Sequence, residues 1–254
     1  MVTPLDTALW GILPYITLGV FIVGMIWRWR YDQYGWTTRS SQSYESVLLR
    51  LASPLFHFGI IFVFLGHLMG LAIPKSWTSA LGVSEGAYHL VATIGGSIAG
   101  IMTLVGLILL LVRRRTYADV FKATTKTDKL MYVLLALPIL LGFVATVINQ
   151  VFGPSHGYDY RETISPWLRS IFLFNPRTDL MVDVPLSFQL HIIAAFLLFM
   201  IWPFTRLVHA FSAPIGYTTR PDIVYRSRTT GIATQEPKRG WEPVNMKTTT
   251  GQKR

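Results

Sequence analysis

Cysteine is absent from the 254 residues of this chain. That excludes a thiolate-ligated iron–sulfur cluster, a cysteine-based zinc site, a disulfide and a covalent CxxCH haem attachment on the chain itself. Charge is scarce too: 14% of residues are Asp, Glu, Lys or Arg, against about 25% in an ordinary soluble domain. All 13 Asp and Glu fall outside or at the edges of the long apolar stretches. An intramembrane carboxylate is the usual mark of a proton pathway, so a haem-free transporter or assembly factor that relays protons on buried histidines is disfavoured. The opening residues, MVTPLDTALW, lack a basic region and carry Asp6. The first apolar segment is therefore expected to stay as a helix rather than to be cleaved as a signal peptide.

Long apolar runs, by contrast, are plentiful. About 20 apolar residues cross a bilayer as a helix, and five stretches qualify: Ala8 to Trp27, Leu51 to Ile73, Ala87 to Val112, Leu130 to Phe152 and Leu186 to Phe211. The expected fold is all-α, a polytopic bundle of five transmembrane helices. Lys and Arg number four over 28–50, six over 113–129 and nine from Arg206 onward, but one over 74–86 and three over 153–185. The positive-inside rule then puts the N-terminus outside and the C-terminus in the cytoplasm of a cell-membrane protein. The net charge of +10 belongs to loops and tail beside membrane-length segments, so it calls for lipid headgroups rather than nucleic acid; most of the Arg113–Arg115 run is read this way. In the long fourth connection, SPWLRSIFLF is expected to form a short helix in the outer interface with Trp167 as its anchor. Residues 1–226 form the membrane domain on this reading, and 227–254 a polar tail, disordered or bound to a partner.

Two imidazoles interrupt the segment PLFHFGIIFVFLGHLMG: His57 and His67. An ionisable side chain inside a span is costly and usually faces the bundle interior with a partner. A lone one is as readily a neutral histidine bonded to a neighbouring carbonyl. Four arranged by depth are another matter. The second span runs outward and the fifth runs back, so His67 lies level with His191 near the outer face and His57 with His209 near the inner one. Ten residues are about 15 Å of helix, and eighteen are about 27 Å, or five full turns, so His191 and His209 share a face. His57 and His67 are rotated by about 80° from one another, which does not fit a straight seam.

Two stacked pairs of neutral imidazoles suit bis-histidine haem iron, and without cysteine the haems are of b type. A single zinc site is disfavoured because the pairs lie at different depths. Gly59, Gly66 and Gly70 open the helix surface beside the imidazoles, as close approach of a planar ring requires; helix packing accounts for them equally well. Gly96 and Gly100 form a small-xxx-small pair assigned to packing. His89 opens the third span at the depth of His67 and could bond a quinone head group or simply face headgroups. His156 reads as a surface residue. Arg39, Arg50, Arg206 and Arg220 suit either haem propionates or acidic patches on a partner.

PLFHFGIIFVFLGHLMG, PFTRLVHAFSAP, WRWRYDQYGWTTRSSQ and KATTKTD, taken together over about residues 8 to 226, resemble the gamma subunit of respiratory nitrate reductase. The resemblance implies a membrane cytochrome b with two b haems. It implies His67 and His191 as ligands of the outer, distal haem and His57 and His209 as ligands of the inner, proximal one, the pairing that depth gives independently. It further implies that a quinol, menaquinol or ubiquinol, is oxidised near the outer haem. Electrons then pass inward to an iron–sulfur beta subunit and a molybdenum catalytic alpha subunit, where nitrate becomes nitrite. The family's lysine at the start of the third span has no counterpart here, and His89 stands as the substitute quinol contact. A cytochrome b serving a formate dehydrogenase, hydrogenase or disulfide reductase is the alternative within the same class.

Overall fold

A computed structural model describes residues 2–36, 41, 44–153 and 157–212. The boundary expected at 226, the tail, Arg39, His156 and Arg220 lie outside the described residues. Five helices are long and apolar enough to cross a membrane: α1 (Pro4–Tyr31), α2 (Val47–Ala72), α4 (Glu85–Thr116), α6 (Lys126–Val151) and α8 (Leu186–Phe204). Between them lie α3 (Lys75–Ala80), α5 (Ala118–Lys122) and α7 (Ile164–Phe172).

Three spans, α1, α4 and α6, begin earlier than apolar composition alone places them, and polar residues cap each of them. Thr3 and Asp6 form a reciprocal capping box on α1, and Thr125 and Asp128 another on α6. The Ser84 hydroxyl accepts the Ala87 N–H at the start of α4. Each cap satisfies N–H groups that the first turn leaves without partners. Most of the span surface is apolar and exposed, with Ile16, Val23, Phe62, Ile98, Leu140 and Leu190 among the residues facing outward. That is the surface hydrocarbon covers.

The fifth span differs from expectation. Its α-helix ends at Ile201, and a 3₁₀ turn Trp202–Phe204, an extended Thr205 and a 3₁₀ segment Arg206–Ser212 follow. Pro203 has no N–H to continue the ladder, and the Thr205 hydroxyl takes up the interruption, donating to Trp202 O at 2.9 Å and accepting from Leu207 N at 3.2 Å. The 3₁₀ path rises and turns differently from an α-helix, so the five-turn spacing that put His191 and His209 on one face does not apply.

Neighbouring spans pack in the order α2, α4, α6, α8, α1. The tightest approach is between α2 and α4. A Cβ on Gly59 would lie 2.6 Å from the Thr103 backbone nitrogen, and one on Gly106 would lie 2.4 Å from that of Phe56. Gly59 is thus taken up by helix packing. Gly100 packs against Phe143, but Gly96 has nothing within 4 Å, so the expected Gly96–Gly100 packing pair holds at one position only.

At the end of the bundle that carries His67, Trp10, Ile164, Trp167, Ile171, Met181 and Val184 form one core cluster. The short helix α7 is where the sequence suggests, yet Trp167 is buried rather than set in an interface. Its ring meets Trp10 edge-on and its Nε1 donates to Trp10 O at 2.9 Å. At the opposite end Arg113 and Arg114 are buried, so the basic run is not mainly a headgroup contact. Arg113 donates to the Glu45 carboxylate at 2.5 Å and to the Ser41 hydroxyl and carbonyl at 2.8 Å, clamping the first connection onto α4. Arg114 donates to the Tyr132 hydroxyl and to Thr124 Oγ1. Burial works against the Glu45 carboxylate, but bonds from the Leu48 N–H and from Arg113 outweigh it and hold its pKa below the usual 4.5.

Two outcomes are expected. Gly59→Val forces α2 from α4 and should destabilise the chain by about 1–3 kcal/mol, as overpacking does; Gly96→Ala, facing open space, should be neutral or mildly stabilising, both read from thermal unfolding in detergent. Glu45→Gln should lower the melting temperature at pH 7. A carboxylate with a depressed folded pKa contributes stability above its unfolded value and loses it as pH falls through the folded value, so the gap between variant and wild type should close below about pH 4.5.

Candidate haem-ligating histidine pairs

Among the described residues α2 and α8 do not pack side by side, yet their histidines face each other at two levels. The rings of His67 and His191 have centroids 5.8 Å apart at an interplanar angle of 38°. Those of His57 and His209, the latter on the 3₁₀ segment after α8, are 6.3 Å apart at 66°. Two imidazoles that each reach about 2 Å from nitrogen to a shared metal ion put their centroids roughly 6 Å apart. His57 and His67 lie exposed on α2, whose apolar stretch is only 11% buried. Among the described residues no group of three or more His, Cys, Asp or Glu is placed to hold a metal ion, which leaves two separate pairs rather than one four-ligand site.

The nitrogen chemistry is the same in all four rings. His57 Nδ1 lies 2.7 Å from Ser53 O, His67 Nδ1 2.8 Å from Val63 O, His191 Nδ1 2.9 Å from Pro138 O and His209 Nδ1 2.5 Å from Arg206 O. A carbonyl can only accept, so each Nδ1 carries the hydrogen and each Nε2 of the neutral ring keeps its lone pair. Metal-binding histidines are held in this way, the second nitrogen fixing tautomer and orientation. The residues present therefore fit two bis-histidine haems. Three acceptors lie on the histidine's own segment, but His191 reaches across to α6.

The three glycines singled out beside the imidazoles divide. Gly59 packs on Thr103, Gly70 on the Tyr160 ring, and Gly66 has nothing within 4 Å, so the helix surface is open beside His67. Sequence reasoning missed Gly142, where a Cβ would come within 2.7 Å of His191 Cε1. Its only signal was a glycine inside an apolar run. At the other pair, a cleft of about 260 Å³ at the foot of α2 is lined by Ser46, Leu49, Arg50, Ser53 and Pro54, and the Ser53 hydroxyl is 3.2 Å from His57 Nδ1.

His89 joins neither pair. Its Nε2 lies 3.0 Å from Gln150 Oε1, while the Gln150 amide nitrogen donates to Tyr158 O at 2.8 Å. The committed amide makes His89 Nε2 the donor and leaves Nδ1 of the neutral ring as an acceptor. Around it the connections are stapled by charge. Lys75 bonds Asp159 and Glu162 at 2.7 Å each and Glu85 at 3.5 Å, and these hydrogen bonds raise its pKa. Arg161 lies over the Tyr88 ring at 3.8 Å, and burial pushes up the pKa of the Tyr160 hydroxyl.

Comparison with known proteins agrees with this architecture. Residues 6–228 match the family model described as nitrate reductase gamma subunit. The chain is 56% identical over 233 residues to the nitrate reductase-like protein NarX of Mycobacterium tuberculosis, a match covering 91% of this chain and 35% of that protein. The chain thus spans about a third of NarX. It is 46% identical over 220 residues to the nitrate reductase gamma chain of Bacillus subtilis, covering 87% of this chain and 97% of that one. It is 35% identical over 229 residues to the respiratory nitrate reductase 2 gamma chain of Escherichia coli, covering 90% and 100%. With a family model matching most of its length and five spans of the required size, the chain belongs to the nitrate reductase gamma-subunit family.

Proposed function

We propose that the chain is the quinol-oxidising cytochrome b subunit of a respiratory nitrate reductase in the cell membrane. It would carry two b haems and deliver electrons to a cytoplasmic iron–sulfur subunit and, through it, to a molybdenum catalytic subunit. The observation that carries this reading is the pair of facing imidazoles at each of two levels across helices that do not pack together, every Nδ1 tied to a carbonyl.

On this reading His67 and His191 hold the distal haem and His57 and His209 the proximal one, with Gly66 giving the distal ring access to α2. Bound there, b haem supplies one-electron redox chemistry. The chain's own groups do the rest. The Nδ1–carbonyl bonds keep each imidazole neutral and aimed. Arg50, in the cleft beside Ser53, offers a cation to a carboxylate at the proximal site. His89 is the quinol contact: its Nδ1 accepts the quinol hydroxyl while Nε2–H stays on Gln150. Nitrate chemistry falls to the partner subunits, because a chain without cysteine holds no thiolate-ligated cluster. The orientation with the N-terminus outside rests on the distribution of Lys and Arg. It puts the quinol site at the outer face and the partner subunits at the inner one.

A reduced-minus-oxidised optical spectrum with a haem-to-protein ratio tests the reading, and two b haems per chain are expected. His67→Ala or His191→Ala should lower the ratio to about one and abolish quinol oxidation, and His57→Ala or His209→Ala should remove the other haem. A ratio near zero in the wild type would sink the reading. Loss of the proximal haem alone in His67→Ala would reverse the assignment.

A further inference from the structure

Of the four imidazoles, only that of His191 takes its Nδ1 acceptor from a different helix. The acceptor is Pro138 O on α6, at 2.9 Å. Four residues further along α6, one turn on, is Gly142. A Cβ built there would lie 2.7 Å from His191 Cε1, 2.9 Å from Nδ1 and 3.4 Å from Nε2. Real Cβ atoms do not approach other heavy atoms at the first of these distances, so the ring occupies space that only glycine leaves free. Pro138 adds a second constraint. A proline inside a helix removes one ladder bond and bends the axis, and α6 carries it one turn before Gly142. Pro138 and Gly142 thus form a two-point socket: one carbonyl to hold the ring by its hydrogen and one missing side chain to admit its face.

Resting on the haem reading above, we propose that Pro138 and Gly142 of α6 are the positioning residues of the distal haem. They set the rotation of the His191 imidazole and, through the hydrogen bond to Pro138 O, its basicity as an iron ligand. Neither residue touches iron. Outer partners of a ligating histidine ordinarily tune affinity and potential as well as orientation. Here that outer partner belongs to a span that contributes no ligand. The other three histidines are oriented by carbonyls three or four residues back along their own segments, so the dependence on a third helix is peculiar to the distal site.

The experiment uses membranes containing the full chain and reads each haem separately, by redox-poised optical titration and by the low-spin ferric EPR signal. Gly142→Ala should either empty the distal site, halving the haem-to-protein ratio, or shift the distal haem's potential and EPR signal, with the proximal haem unchanged. Gly100→Ala on α4, which crowds Phe143 of α6 without touching His191, should leave both haems as in the wild type. Should Gly142→Ala fail to accumulate, Pro138→Ala decides. It restores a good helix former, keeps the carbonyl and returns the missing ladder donor, and it should shift the distal signal while both haems are retained. Distal signals identical to wild type in both variants, or in Pro138→Ala where Gly142→Ala does not accumulate, would overturn the inference. So would a shift of equal size at both haems. A wild-type chain with no haem would instead count against the haem reading itself.

Discussion

An imidazole in hydrocarbon has two nitrogens and no water to satisfy either. In this chain a backbone carbonyl takes the hydrogen of one nitrogen in each of four rings, which leaves a lone pair on the other. The bundle brings these rings together in two pairs, His67 with His191 and His57 with His209. Helices α2 and α8 stand apart. Between them α4 packs closely on α2 and α6 on α8, with glycines at the crossing of α2 and α4 drawing backbones together.

The two ends of the bundle are closed by different means. At the His67 end the closure is aromatic and ionic: Trp10 against Trp167, and Lys75 joined to carboxylates from the fourth connection. At the His57 end a buried guanidinium, Arg113, gathers Ser41 and Glu45. Charge sits at the rims in both cases, where water still reaches some of it.

Five spans and the facing of His67 with His191 and of His57 with His209 were legible in the sequence, because apolar length and residue depth are one-dimensional quantities. Azimuth is not. The 80° offset between His57 and His67 conflicts with a shared seam only if α8 is straight. It is absorbed because Pro203 ends that helix and a 3₁₀ segment carries His209 around to meet His57. Trp167 and Arg113 misled for a related reason: an aromatic or a basic run near a membrane edge reads as an anchor unless tertiary packing claims it, and here α1 and the first connection do so. Gly142 was invisible because a missing side chain has meaning only beside the ring that fills its place.

The break in α8 also makes the two histidine pairs mechanically unequal. His191 sits within a continuous helix and is braced by a second one. His209 rides on a short 3₁₀ segment, whose hydrogen bonds are poorer in geometry than those of an α-helix, held by Leu207 and Val208 in the core and by the cluster of Phe21, Phe199, Trp202 and Phe211. The two levels are thus supported by different means, one ring by two α-helices and the other by a 3₁₀ turn wedged into an aromatic cluster.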